Sequence, residues 1–589
     1  MAVPEEVDVV VVGAGDYRPT LPPYAHRHCT NFGDTGWNGL ISAKTYLDFM
    51  PSANLVIIDE QTSIGGVWSA EKIYPSLYAQ IKHGLFEYSF YPMRHEGITQ
   101  DGYISGQTIH TYLNDFAWDF DLTRRIRLQT TVTSVHRTCT GSWRLDIKGQ
   151  VPIECTKLIY ASGATSHPVI PSWHMENFES TVIHSCETGA HLDALRNIES
   201  ATVVGGAKSA YDTIFLLLNA GKKVNWVIRN DGSGPLALMP PTLFGVVNTM
   251  DVVTTRFMAL MGASIMSTDG AGHQFIQRTM IGRFIAWVFW LVVNWIAERH
   301  AGYHKSENAM KLRPMPHGNG IFWANAGLGA ASVPLFWKTF HAGNCTVHRT
   351  NIESLRGRDV VCLRDGTQFQ TDYVILCTGF DKSFHVFSKQ LQQQLGLMPD
   401  PSSQWKWSGL DKQAEEIVED LLPALRKPPR GAGNSSPRKS GDVQGLLHGP
   451  NNHYRRLIVP SLAAQGDRSV YFPGFIHSIY TPIVSEVQAL WGVTFLLGLH
   501  DPPSQEGMEY EVAEWNVWSR KRYVSQGRKH AYAIYDFLPY VDTLLRDLGI
   551  EPQRKKSSAR LFEPAYPHEY NGLVDEFRCV REGVGAAWS

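Results

Sequence analysis

Three continuous runs of apolar residues each end in a glycine-containing turn, and a helical pattern follows the first two. The runs are Val9–Val12, Ala201–Val204 and Tyr373–Leu376. Continuous apolar runs, in contrast to alternating ones, are typical of parallel strands that are covered on both faces. The sequence therefore predicts an α/β fold in which helices flank parallel sheets.

The second run continues into a complete βαβ unit. Its turn is a variant of the glycine-rich dinucleotide fingerprint, in which small residues let the backbone approach a pyrophosphate and helix N–H groups hold the phosphates. The following buried strand ends at Arg229, where NAD-preferring sites carry an acid, so a cation there suits the 2′-phosphate of NADPH. The predicted contacts within the turn are Gly205, Ala207, Lys208, Ser209 and Ala210.

The first run enters a similar fingerprint that is interrupted. Asp16–Gly36 contains three prolines and no hydrophobic period, and a helical pattern begins only after it. Joining Gly15 to Trp37 restores a turn with glycines at 13, 15 and 39, and the next strand, Leu55–Ile58, ends at Asp59, whose carboxylate suits a ribose hydroxyl. One site that ends in an acid and one that ends in an arginine indicate FAD together with NADPH.

The sequence contains two similar patterns of a β-meander followed by a buried strand. One ends at Ser162-Gly163 and the other at Thr378-Gly379. This repetition suggests that the chain leaves the first domain and later returns to it. We therefore predict two Rossmann-like domains, with the FAD domain split around the NADPH domain. The predicted bounds are 1–165 for the first FAD part, 166–350 for the NADPH domain with a helical insertion at 236–329, and 351–589 for the second FAD part with a flexible loop at 425–445.

Composition bears on the binding partners and the cellular location of the protein. Lys and Arg number 54 against 56 Asp and Glu, so no nucleic-acid partner is predicted. The eight cysteines form no Cys-x-x-Cys pair, which indicates neither a metal site nor a dithiol centre and favours the cytoplasm. The apolar stretch 284–297 is shorter than the ~20 residues of a membrane span, so a span is the least favoured interpretation. The stretch predicts a buried or partly buried helix, with a contact with a membrane surface or the wall of an apolar substrate entrance as alternatives.

These motifs, in this order, resemble those of flavin-containing monooxygenases. The joined first fingerprint, "IGGVW", "YPSLY", "YISGQTIHTYL", the second fingerprint with Arg229, "CTGFD" and "YFPGFIHSIYTPIVSEVQALW" carry the resemblance, which is strongest to fungal members of secondary-metabolite pathways. It implies that NADPH reduces FAD and that a C4a-hydroperoxyflavin transfers one oxygen atom from dioxygen to a small apolar substrate. The product type, N,N-dimethylaniline monooxygenase-like or Baeyer–Villiger-like, is left open, as is the oligomeric state.

The resemblance also assigns roles to individual residues. It places Gly66 and Trp68 beside the flavin and Thr378-Gly379 at the cofactors, and it makes Thr481 the N-cap and Pro482 the first residue of a helix aimed at the flavin. Gln80 stands where the family often has an asparagine near the flavin, and is the one catalytic candidate. The family's Phe-x-Gly-x-x-x-His stretch appears only as "FESTVIH", with Ser180 in place of glycine.

The sequence leaves two alternatives to an active monooxygenase. One is a quinone-type reductase that uses FAD and NADPH, and the other is a catalytically impaired isoform, because Asp16–Gly36 splits the FAD turn. The length of that segment matches a small fungal intron, so we interpret it as translated intron, with a genuine surface loop as the alternative.

Overall fold

The computed structural model describes residues 3–13, 35–330, 335–429, 451–555 and 560–583. The strands in chain order are β1 (Glu5–Val12), β2 (Leu55–Ile58), β3 (Tyr78–Lys82), β4 (Tyr103–Ser105), β5 (Ile126–Arg127), β6 (Val132–Arg137), β7 (Trp143–Ile147), β8 (Ile153–Tyr160), β9 (His167–Pro168), β10 (His174–Glu176), β11 (Thr181–His184), β12 (Ser200–Val204), β13 (Lys223–Val227), β14 (Ala237–Met239), β15 (Thr242–Leu243), β16 (Val247–Asn248), β17 (Leu328–Ala330), β18 (Cys345–His348), β19 (Ile352–Arg356), β20 (Val360–Leu363), β21 (Gln368–Gln370), β22 (Tyr373–Leu376), β23 (Phe380–Asp381), β24 (Val470–Tyr471), β25 (Ile476–His477) and β26 (Ala531–Tyr532).

The α-helices complete the set of elements. In chain order they are α1 (Trp37–Phe49), α2 (Gly106–Asp119), α3 (Leu192–Asn197), α4 (Lys208–Asn219), α5 (Thr249–Val253), α6 (Arg256–Met261), α7 (Gly270–His273), α8 (Met280–Ala301), α9 (Glu307–Met310), α10 (Gly320–Trp323), α11 (Phe336–Ala342), α12 (Lys389–Gln394), α13 (Gln404–Leu421), α14 (Pro460–Ala464), α15 (Thr481–Leu496), α16 (Gln505–Arg522), α17 (Phe537–Asp547) and α18 (Leu573–Arg581).

The first sheet has the order β5-β2-β1-β8-β7-β6, with β24 also paired to β8. β1 runs parallel to both β2 and β8, and its last four residues are fully buried, as the continuous apolar run predicts. β24 comes from the last third of the chain and pairs parallel with β8. The first unit is therefore built from both ends of the chain, in agreement with the predicted split domain.

The second sheet is parallel and has the order β11-β22-β12-β13-β18. β22 pairs with β11 on one side and with β12 on the other, so it is a central strand of this sheet. The predicted domain boundary at residue 350 is therefore too early. The second meander, β19–β21, forms a separate sheet with β10, and its similarity to the first meander does not reveal which unit the next strand joins.

The chain crosses between the two units at β9 and again at β23. These two short strands pair antiparallel, with Pro168 opposite Phe380 and His167 opposite Asp381. The hydroxyl of Thr378 donates to the carbonyl of Val169 at 2.5 Å, which ties the two crossings together next to the pairing.

The predicted insertion at 236–329 contains helices α5–α10 together with four short strands. β14 and β17, near its two ends, pair parallel with each other, so the insertion closes on itself. α8 is a partly buried helix, one of the predicted possibilities: 22% of its most apolar stretch is buried. Of the predicted flexible loop at 425–445, residues 430–445 lie outside the described part of the chain.

Helix α15 is buried along almost its whole length and packs along α1. Within it, Glu486 accepts hydrogen bonds from the backbone N–H of Ser89 at 2.8 Å and from the Ser89 hydroxyl at 2.6 Å. Burial is the largest influence on this carboxyl and raises its pKa to about 7, although the bonds from Ser89 act in the opposite direction.

We predict that Glu486→Gln gains stability relative to the wild type as the pH rises. The folded-state pKa lies above the ordinary value of 4.5, so the wild type loses stability as the pH rises from about 4.5 to about 7. Glutamine cannot ionise, and the Ser89 hydroxyl can donate or accept. The free energy of unfolding of Glu486→Gln minus that of the wild type should be larger at pH 8 than at pH 5, by on the order of 2–3 kcal/mol.

The measurement is urea unfolding of both proteins across this pH range. Glu416→Gln, a change of an exposed glutamate, is the matched control and should follow the wild type at every pH. A constant difference between Glu486→Gln and the wild type would contradict the prediction.

Candidate cofactor and active site

The first predicted dinucleotide site lies at the carboxyl ends of β1 and β2. The N–H of Gly13 donates to the carbonyl of Ile58 at 2.9 Å, and Asp59 follows directly. Gly39 lies buried in the first turn of α1. Gly15 and residues 16–34 of the predicted interrupting segment lie outside the described residues, whereas Thr35 and Gly36 are part of the fold.

Asp59 has no solvent exposure, and its carboxylate accepts hydrogen bonds from protein groups. Its Oδ2 accepts from the N–H of Thr35 at 2.8 Å and from the Thr35 hydroxyl at 2.7 Å, and its Oδ1 accepts from the N–H of Gln61 at 2.9 Å. Burial raises the pKa of Asp59, and the bonds from Gln61 and Thr35 oppose this rise. The carboxylate thus accepts three hydrogen bonds from the protein, and a carboxylate can accept about four.

The start of α1 suits a pyrophosphate. Gly36 is the N-cap, in an extended conformation, and no side chain caps the helix, so its first-turn N–H groups are available to phosphate oxygens. Gly474 approaches the same turn: a Cβ at this position would lie 2.6 Å from Nδ2 of Asn38. The uncapped helix start, the buried acid and this close backbone approach fit the adenosine diphosphate part of FAD.

The predicted flavin-side residues Gly66 and Trp68 form a single 3₁₀ turn next to this site. The N–H of Gly65 donates to the carbonyl of Thr35 at 3.0 Å, which joins this turn to the start of α1. The ammonium of the buried Lys72 donates to the carbonyl of Gly66 at 3.1 Å. The structure therefore brings Gly13, Gly39, Asp59, Gly66 and Trp68 into one region.

The predicted N-cap of α15 is wrong by one residue. Tyr480 is the N-cap, Thr481 is the first helical residue, Pro482 follows it, and no side chain caps the helix. The pattern Thr-Pro favours a cap followed by a first-turn proline, but proline is also tolerated one position later in the first turn. The uncapped N–H groups at this end remain compatible with the predicted role beside the flavin.

The second predicted turn requires its first glycine. Gly205 has a φ of +135°, and a Cβ there would lie 2.1 Å from the carbonyl oxygen of Cys377 at the end of β22. β12, β22 and the turn therefore meet at one edge of the sheet, which is where open parallel sheets bind dinucleotides.

The remaining predicted residues of this turn surround the start of α4. Ala207 is the N-cap without a side-chain hydrogen bond, and Ala210 is fully buried against the sheet. Lys208 forms an ion pair with Asp212 one helical turn later, and Ser209 lies beside it in the first turn. Arg229 is exposed two residues after β13 ends at Val227, so it lies at the sheet edge predicted for a 2′-phosphate.

Thr378 and Gly379 lie at the crossing between the units. The carbonyl of Gly379 accepts from the N–H of Val169 at 3.0 Å and lies 3.2 Å from Nε2 of His184. His184 is thus buried against the crossing at the end of β11. Ser180, which replaces the family's glycine, donates to the carbonyl of Thr371 at 2.7 Å. The cofactor contacts of Thr378 and Gly379 stay a prediction.

Gln80 lies on β3 and contacts the insertion. A Cβ at Gly329, in β17, would lie 2.8 Å from Nε2 of Gln80, and one at Gly327 would lie 2.9 Å from the hydroxyl of Tyr532. The same short segment before and within β17 therefore contacts both Gln80 and Tyr532. The predicted catalytic role of Gln80 stays a prediction.

Sequence reasoning suggested His477 as a residue of the substrate pocket but missed the rest of the polar cluster that continues from Tyr532. The ring of His477 stacks on Tyr532 at 5.5 Å and lies 4.4 Å from the ring of His530. Lys382, which follows β23 directly, donates to the carbonyl of Lys529 at 2.8 Å. The pairing of β25 with β26 assembles this cluster from distant parts of the chain, so local motifs could not reveal it.

The cluster is uncharged at neutral pH except for its lysine. Burial, followed by the nearby charge of Lys382, lowers the pKa of His477 to about 4. Burial also lowers the pKa of His530 well below its usual range and that of Lys382 to about 8. Two neutral imidazoles beside an ammonium can hydrogen-bond an oxygen-bearing organic group in surroundings from which water is largely excluded.

Known proteins resemble the chain over almost its whole length. The family described as pyridine nucleotide-disulphide oxidoreductase matches residues 87–240. An FAD-dependent monooxygenase of Alternaria brassicicola, DEP4, is 48% identical over 98% of this chain and 96% of its own. An FAD-dependent monooxygenase of Aspergillus nomiae, rstn6, is 35% identical over 93% of this chain and 97% of its own.

Solved structures share the architecture at low sequence identity. Cyclohexanone monooxygenase from Rhodococcus sp. Phi1, bound to NADP+, superposes with a TM-score of 0.55 at 14% identity, over 93% of this chain and 98% of its own. At this identity the similarity concerns the fold alone, and it confirms the predicted α/β class with Rossmann-like domains.

Proposed function

Because the chain belongs to the FAD-dependent monooxygenases, we propose that it uses NADPH to insert one atom of dioxygen into a small apolar organic substrate. The observation that carries the proposal is the near-full-length similarity to fungal enzymes of this family. Membership confirms the predicted monooxygenase with FAD and disfavours the quinone-type reductase. The fungal relatives also support a place in secondary metabolism.

The protein's part in this reaction is to bind, orient and exclude water. When bound, FAD supplies the redox and oxygen chemistry that side chains cannot. The first-turn N–H groups of α1 would hold its pyrophosphate, and Asp59 would accept a ribose hydroxyl. The turn at Gly205 and the start of α4 would hold the NADPH pyrophosphate, with Arg229 at the 2′-phosphate.

On the substrate side, the segment around β17 contacts two polar candidates. Gln80 lies against Gly329, and Tyr532, whose ring stacks on His477 beside His530, lies against Gly327. These groups can orient an oxygen or nitrogen of the substrate by hydrogen bonds without placing a charge in the site, apart from Lys382. We therefore assign substrate positioning to them.

Oxygen incorporation tests the proposed function. Purified full-length protein should be yellow, and a substrate should stimulate NADPH oxidation while one atom from labelled dioxygen appears in the product, detected by mass spectrometry. An apolar ketone and an apolar amine or thioether, offered separately, distinguish carbonyl from heteroatom oxidation. Reduction of a quinone under nitrogen, with no oxygenated product in air, would contradict a monooxygenase.

Arg229 should set the preference for NADPH over NADH. Arg229→Ala removes a charge-assisted contact worth about 1.5–3 kcal/mol, so the ratio of kcat/KM for NADPH to that for NADH should fall by about tenfold to a hundredfold. The measurement is steady-state oxidation of both nucleotides. Arg358→Ala, a change of an exposed arginine between β19 and β20, is the matched control and should keep the wild-type ratio. An unchanged ratio in Arg229→Ala would remove the residue from the site.

We also propose that the protein acts in the cytoplasm and rests on a membrane surface through α8. The seven cysteines in the described part of the chain are all free thiols, which supports a reducing compartment. Among the described helices, α8 is the one long and apolar enough to cross a membrane by length and composition. Its packing supports a helix that lies on a bilayer instead.

One face of α8 is fixed to the protein and the other is apolar and exposed. Trp290 and Asn294 are buried, and the indole N–H of Trp290 donates to the carbonyl of Met261 at 2.9 Å. A helix held in this way cannot be surrounded by lipid. The exposed large apolar side chains are Met280, Ile281, Phe284, Ile285, Trp287, Val288, Leu291, Val292 and Trp295.

This exposed face has the composition of an interfacial helix. Trp287 and Trp295 are more than half exposed, and Arg299 lies 5.5 Å from the ring of Trp295. Indole rings favour the headgroup level of a bilayer, and arginine there is attracted to anionic lipids.

Replacing both exposed tryptophans should release the protein from membranes. The double change Trp287→Ser with Trp295→Ser should reduce flotation with phosphatidylcholine–phosphatidylserine vesicles by about tenfold, because the helix loses its two largest apolar anchors. Trp405→Ser, at an exposed tryptophan on α13, is the matched control and should float like the wild type. If the wild type stays with the soluble fraction, or if it elutes as a dimer that the double change dissociates, α8 is not a membrane contact.

A further inference from the structure

We infer that Thr35-Gly36, in place of Ala14-Gly15, forms the phosphate turn of the FAD site, so that the turn is complete although residues 14–34 interrupt the sequence. This inference rests on FAD binding by the chain, and it concerns which residues perform it. It assigns a binding role to Thr35 and Gly36, which the sequence pattern alone places within the interruption.

Both ends of the interruption lie at the end of the same strand. Gly13 donates to the carbonyl of Ile58, the last residue of β2, and Thr35 donates to the carboxylate of Asp59, the next residue. Because Ile58 and Asp59 are neighbours in the chain, the strand that enters the turn and the residue that leaves it are close together. The fold therefore accommodates the interruption without separating β1 from α1.

Thr35 is fastened in this position by three hydrogen bonds. Its N–H and hydroxyl both donate to Oδ2 of Asp59, and its carbonyl accepts from the N–H of Gly65 at 3.0 Å. Thr35 and Asp59 are both fully buried, so these bonds are formed away from competing water. The turn is thus joined to the acid of the ribose site and to the loop beside Gly66.

Gly36 then begins the helix in the position expected of the second fingerprint glycine. Its carbonyl accepts the first helical hydrogen bond, from the N–H of Leu40 at 3.2 Å. Read from Gly13 through Thr35 and Gly36 to Gly39, the residues have the Gly-x-Gly-x-x-Gly spacing of a dinucleotide turn. In that spacing the second glycine allows the backbone to approach the pyrophosphate.

Two glycine substitutions test whether Gly36 or Gly15 is the second glycine of the phosphate turn. Gly36 has a φ of −100°, so alanine fits its backbone and the fold should be retained. A methyl group at the pyrophosphate should nevertheless weaken FAD binding by about tenfold or more. Gly36→Ala should therefore raise the Kd for FAD, measured by quenching of flavin fluorescence on apoprotein, whereas Gly15→Ala should leave it unchanged.

Deletion of residues 14–34 provides the second measurement. It joins Gly13 to Thr35, and the protein should bind FAD at least as tightly as the full chain and unfold at an equal or higher temperature. Circular dichroism and thermal unfolding of each apoprotein establish that it is folded. Three results would overturn the inference: weakened binding in Gly15→Ala, normal binding in Gly36→Ala, or no FAD binding by the full chain.

The same measurements distinguish this inference from the proposed function. A full chain that binds FAD with the expected glycine dependence, but inserts no oxygen, would uphold the turn and reject the oxygenation. Oxygen insertion by a chain whose FAD binding depends on Gly15 and not on Gly36 would uphold the oxygenation and reject the turn.

Discussion

The architecture depends on two chain crossings that pair with each other. β9 leads the chain out of the first unit and β23 leads it back, and their antiparallel pairing is reinforced by the bond from Thr378 to Val169. Each unit places its dinucleotide turn at the carboxyl ends of parallel strands, β1 and β2 in the first and β12 and β13 in the second. A paired crossing fixes the separation of two such edges better than a single linker would, and a reaction between two bound cofactors requires that separation to be constant.

The sequence predicts the elements well where burial is uniform. β1, β12 and β22 are covered on both faces, so their apolar runs are continuous and their ends are clear. The limit appears where assignment depends on a partner distant in the chain. Tyr373–Leu376 reads as a buried strand in any unit, and only its pairing with β11 and β12 places it in the second sheet.

The same limit applies to individual residues of the FAD site. Gly15 and Gly36 each provide a glycine before the helix, and cutting out residues 16–36 or residues 14–34 leaves an identical spacing. Spacing therefore cannot choose between them. The choice rests on the two bonds from Thr35 to Asp59, a contact between residues 24 positions apart that no local pattern encodes. The contact of His477 with His530 could not be predicted from the sequence for the same reason, since it forms only when β25 pairs with β26.

The insertion links the exposed face of the molecule with the predicted substrate site. α8 packs against β14, and β14 pairs with β17, the strand that carries Gly329 against Gln80. A helix resting on a bilayer would therefore lie within two packed elements of the substrate-positioning residues. An apolar substrate would be concentrated in the bilayer by the same transfer free energy that would anchor α8 there. The proposed membrane contact and the proposed preference for an apolar substrate would thus have one physical origin in this chain.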